Sequence, residues 1–63
     1  MSVAEKLKAA RAKRGHSQRA AAKEMNMSLG ALTKWEQGQR KPTVLSARRA
    51  VELYLKKAGI PHE

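Results

Sequence analysis

The 63-residue sequence predicts an all-α fold, a compact bundle of four to five short helices, on three observations. Ser2, Ser17, Ser28 and Thr43 each stand just ahead of a stretch with helical spacing, where a hydroxyl caps a helix start. Gly15, Asn26, Gly38 and Gly59 follow those stretches and suit the left-handed backbone that ends a helix. No segment alternates apolar and polar residues with period two, so no strand is expected.

The first helix is expected from Val3 to about Arg14, opened by a capping box of Ser2 and Glu5. Val3, Leu7 and Ala10, with Arg11 at the edge, share one face, while Lys6, Lys8, Lys13 and Arg14 cover most of the rest. A second, alanine-rich helix follows from Gln18 to about Met25 and ends at Asn26. The third runs from about Leu29 to Gln37 and stops at Gly38. Only Asn26 and Met27 separate the two, so they must cross steeply, which makes residues 17–37 a helix-turn-helix. After the basic loop from Gly38 to Pro42, Thr43 is expected to cap a last helix reaching about Ala58. Its apolar stripe is Val44, Ala47, Ala50, Val51, Tyr54, Leu55 and Ala58, opposite Arg48, Arg49, Glu52 and Lys56.

The whole chain, residues 1–63, reads as a single helix-turn-helix domain near the lower size limit for a self-sufficient core. Fourteen Lys and Arg against five Glu give a net charge of +9, a field that draws polyanions. Trp35 and Tyr54 are the only aromatics, too few platforms for stacking single-stranded bases. The absence of cysteine suits a reducing cytoplasm. His16 and His62 read as ordinary surface histidines without metal-ligand spacing, so neither a metal nor another cofactor is expected. No apolar run approaches the ~20 residues that span a bilayer. There is no nucleophile–base–acid set and no Gly-rich phosphate loop, which argues against an enzyme.

Arg11, Ser17-Gln18, Ala22, Ser28, Leu32, Trp35-Glu36, Gly38, Arg40 and Pro42 together resemble the Cro and phage-repressor (XRE-type) helix-turn-helix family. The resemblance covers about Leu7 to Leu55 and implies a lambda-repressor-like bundle that binds double-stranded DNA. It also implies that Arg11 and Glu36 form a structural ion pair beneath the DNA-facing surface, and that Trp35 sits in the core. Phosphate contacts are expected from Ser17, Gln18, Arg19, Gln37, Arg40 and Lys41, with Lys34 and Arg14 as further candidates. Base readout is assigned to Ser28, Leu29, Thr33 and Lys34 on the recognition helix. A small repressor or autoregulator from a phage or mobile element is the expected role. Anti-CRISPR-associated repressors and toxin-linked antitoxins share this module.

The chain departs from the family pattern in two places. Ala21 stands where a large aliphatic residue is usual, leaving Met25, Met27 and Trp35 to fill the volume. Leu29-Gly30-Ala31 replaces the long polar residues usual on the first turn of the recognition helix. Leu29 then either packs on thymine methyl groups while Gly30 and Ala31 let the backbone sit deep in the groove, or contacts a protein as in an antitoxin or adaptor module. The intact phosphate-binding frame favours the first. A module of this size buries only about 600–1,000 Å² on DNA, so a homodimer on a palindromic operator is expected. Leu45, Leu53, Tyr54 and Ile60 are the candidate dimer contact. No small-molecule ligand is expected, since the chain has no room for a sensing domain.

Overall fold

The computed structural model describes residues 2–61, which form four α-helices and no strand. They are α1 (Val3–Arg14), α2 (Gln18–Glu24), α3 (Leu29–Glu36) and α4 (Leu45–Lys57). Three of the four begin alike. The hydroxyls of Ser2, Ser17 and Ser28 accept the backbone N–H three residues on, at 3.2, 3.1 and 3.2 Å. Each satisfies a donor that the helix itself cannot partner.

All four helices end alike as well. After α2, Asn26 takes φ 55°, its N–H reaches the Lys23 carbonyl at 3.1 Å, and the Met27 N–H reaches that of Ala22 at 2.9 Å. The same paired closure recurs around Gly15, Gly38 and Gly59, so each chain reversal is written locally by one residue that tolerates left-handed backbone.

The start of α4 differs from expectation. Thr43 does not cap it; the helix begins at Leu45 behind Val44, and no side chain caps it. Val44, expected on the apolar stripe, is 64% exposed. The helix is held instead by its middle, where Val51, Tyr54 and Leu55 are buried, because packing of an amphipathic face outweighs a missing cap.

Leu7, Ala10, Ala21, Ala22, Met25, Leu32, Val51, Tyr54, Leu55 and Ile60 make one core, with Met27 and Trp35 packed against its margin. Ala21 is fully buried there, and the neighbouring volume falls to the adaptable Met25. Trp35, expected inside, is half-buried. Helix α3 packs on both α1 and α2, and α4 closes the bundle against α1. No helix among the described residues is long and apolar enough to cross a membrane.

Candidate nucleic-acid interface

The site is built on α3, which presents opposite faces to the core and to solvent. Leu32 and Glu36 point inward at 0% and 2% exposure. Ser28, Leu29, Gly30, Lys34 and Gln37 are exposed, while Ala31 and Thr33 are half-buried.

The inward face is fixed by charge. Arg11 grips Glu36 with both arms of its guanidinium, Nε to Oε2 at 2.6 Å and Nη2 to Oε1 at 2.8 Å. Gln18 donates its amide to Oε1 at 3.1 Å, and Arg11 Nη1 donates to the His16 carbonyl at 3.3 Å. The ends of α1 and α3, the start of α2 and the loop between α1 and α2 thus meet around one Arg11–Glu36 pair. Hydrogen bonding to Glu36 raises the Arg11 pKa above its ordinary value, so the guanidinium stays charged. A forked pair suits this position because it satisfies both charges where either alone is costly.

The placement of Gln18 differs from a simple phosphate contact. Its amide faces inward to Glu36, and one N–H of that amide remains for an outside acceptor. Arg14, a candidate phosphate contact, is committed elsewhere. It forms a forked pair with Glu24, Nη2 to Oε1 at 2.8 Å, and lies 4.8 Å over the ring of Tyr54. Bonding to Arg14 holds the Glu24 carboxyl below its ordinary range, and bonding to Glu24 raises the Arg14 pKa.

His16 is not an ordinary surface histidine. It is half-buried, with Nδ1 2.7 Å from the hydroxyl of Tyr54. His62 lies outside the described residues. Tyr54 and Ile60, expected at a dimer contact, are 2% and 8% exposed within the chain's own core. That leaves Leu45 and Leu53, 62% and 59% exposed, two i, i+4 steps apart along one ridge of α4. Burial pushes the Tyr54 hydroxyl pKa up.

Around the outward face of α3 lie two grooves of unequal size. The larger, about 410 Å³, is lined by Ser28, Gly30 and Lys34 on the helix and by Arg40 and Lys41 of the loop. The loop is folded back onto the helix, with the N–H groups of Gln39 and Arg40 reaching the Lys34 carbonyl at 3.0 and 3.4 Å. The smaller groove, about 330 Å³, lies on the α2 side, where Arg19 and Lys23 flank Met27 and Leu29. Among the described residues, no acidic side chain lines either groove. Ser17, Gln37 and Arg19 are all exposed.

Lys23 was not among the residues expected from sequence. The available signal was its i, i+4 spacing from Arg19, which puts both on one side of α2.

An exposed helix start between two basic grooves matches the duplex major groove, which offers base edges between two phosphate backbones. A family model described as helix-turn-helix matches residues 7–59, most of the chain. The chain belongs to the XRE-type helix-turn-helix family, the Cro and phage-repressor class. Its members' module binds DNA and is not catalytic, and this chain is a DNA-binding regulator of the XRE type. Neither a curated protein nor a solved structure matches it.

Proposed function

We propose that the chain is a sequence-specific double-stranded DNA-binding transcriptional regulator that inserts the outward face of α3 into the major groove. The observation that carries this reading is the placement of Lys34, Arg40 and Lys41 on one side of that face and Arg19 and Lys23 on the other. On this reading Arg19, Lys23, Arg40 and Lys41 hold phosphates, together with Ser17, Gln18 and Gln37. Ser28, Leu29, Thr33 and Lys34 meet base edges. Such a regulator acts by occupancy: the bound protein blocks polymerase, and its concentration sets control. A small phage or mobile-element repressor or autoregulator fits that mode. Two copies on an inverted repeat, one helical turn apart, roughly double the contact area. Leu45 and Leu53 are the apolar residues available for the two-fold contact.

The 39% exposure of Leu29 supports a second reading, in which this face binds a protein as an antitoxin or adaptor does. One experiment separates the two. Binding sites are selected from a random duplex pool, and affinity for the best site is measured against salt. A DNA reader yields a palindromic preference and a log–log salt slope of about −0.9 per phosphate contact. Affinity equal to that for random duplex removes the claim of sequence specificity.

A further inference from the structure

The outer surface of α3 has unusually little with which to read a base by hydrogen bonding. Thr33 spends its hydroxyl proton on the Leu29 carbonyl at 2.8 Å. The Ser28 hydroxyl already accepts the Ala31 N–H at 3.2 Å, which leaves it one proton and one lone pair on a short side chain. Ala31 has no polar side chain, and Gly30 has no side chain at all. Lys34 remains as a single long donor.

Gly30 is the informative residue. Its φ is not in the left-handed region, and a Cβ built there would meet nothing within 4 Å. Neither conformation nor internal packing therefore calls for glycine, although in a helix it costs about 1 kcal/mol relative to alanine. The remaining physical reason is close approach of something outside the chain. Beside this bare stretch of backbone stands Leu29, an exposed aliphatic side chain at the first position of the helix.

Among the groups a base pair shows in the major groove, the C5-methyl of thymine is the apolar one. 5-Methylcytosine carries the same methyl at the same ring position. Leucine neither donates nor accepts a hydrogen bond, so it has no means of telling the O4 of thymine from the amino group of 5-methylcytosine.

Resting on the DNA-reading role above, we propose that Leu29 and the bare backbone at Gly30 recognise pyrimidine C5-methyl groups. The chain then favours thymine over uracil and 5-methylcytosine over cytosine at the position Leu29 faces. Its binding is in consequence sensitive to cytosine methylation within its site.

The test uses the full chain and the best duplex recovered from a random pool, with affinity read by fluorescence anisotropy at fixed salt. Thymines are replaced singly by deoxyuridine, which removes the methyl and keeps the pairing. At the sensitive position, C·G and 5-methylcytosine·G pairs are then compared. Removing each contacted methyl should weaken binding about fourfold, as expected for losing burial of one such group. 5-Methylcytosine·G should bind about fourfold tighter than C·G by the same measure. Leu29→Ala, at a position outside the core cluster, should bring the members of each pair together. A preferred site whose affinity ignores every methyl overturns this inference alone, as does a Leu29→Ala variant that keeps the full differences. A pool that yields no preferred site overturns the DNA-reading role and this inference together.

Discussion

The inward and outward faces of α3 belong to the same eight residues, yet they answer to different demands. Inward, both carboxylate oxygens of Glu36 are occupied and Leu32 has no exposure, so that face tolerates little change. Outward, the side chains of Leu29 and Lys34 and the bare backbone at Gly30 lie exposed between basic grooves. On the proposed DNA-reading role, the contrast teaches that fold and recognition are separable within one short helix. Substitutions inside should move stability first, and those outside should move binding alone.

The largest expected effect is from Leu32→Ala. Removing a fully buried leucine costs about 2–5 kcal/mol. For 63 residues the whole folding stability is roughly 3–9 kcal/mol, so the variant should be largely unfolded by circular dichroism at 37 °C. A melting curve like that of the parent would break the contrast at its inner side.

Next comes Glu36→Ala, which removes the carboxylate shared by Arg11 and Gln18 and leaves Arg11 only the His16 carbonyl. Loss of one partner of a buried pair costs about 3–5 kcal/mol. Arg11 keeps 21% exposure and can draw in water, so the lower end, about 3 kcal/mol, is expected in urea titration. Replacing Arg11 and Glu36 together should cost less than the sum of the single changes, the coupling that a double-mutant cycle measures.

On the outer side, Lys41→Ala should change stability by no more than about 0.5 kcal/mol. It should weaken binding to all duplexes alike and reduce the magnitude of the salt slope by about 0.9. A change in which bases are preferred would put Lys41 at a base edge. The double change Leu45→Asp with Leu53→Asp should leave the helical spectrum unaltered. It should also abolish any dimer seen by sedimentation, and persistence of the dimer would place the contact elsewhere.

The smallest effect concerns pH. The folded-state pKa of Glu24 is depressed below the ordinary 4.5 by its bond to Arg14. A depressed carboxyl contributes stability that is present above its unfolded pKa and lost as pH falls through the folded one. Melting temperature should therefore fall on the acid side of pH 4.5, and Glu24→Gln should flatten that slope. An unchanged slope would mean that solvent screens the pair completely.

Much of the helical layout is legible in the sequence. Ser2, Ser17 and Ser28 signal their helices, and Gly15, Asn26, Gly38 and Gly59 signal the stops. Each does so because capping bonds span only three to five residues. Arg11 and Glu36 lie 25 residues apart, and their pairing was legible only through resemblance to a family. Thr43 misled because a hydroxyl in the right place is permissive, while the actual start of α4 follows from where Val51, Tyr54 and Leu55 must be buried.

The amino-acid order alone determined an all-helical bundle of four to five helices, their closures and a strongly basic surface, since these depend on neighbours along the chain and on composition. Only tertiary packing decided that Tyr54 and Ile60 face the core, that His16 meets Tyr54 across 38 residues, and that Arg14 is tied to Glu24. Packing likewise brought Arg19 and Lys23 to one side of α3 and Arg40 and Lys41 to the other. Residue spacing along a helix specifies which side chains share a face. It leaves open which neighbour that face meets, and burial of the apolar stripes settles that.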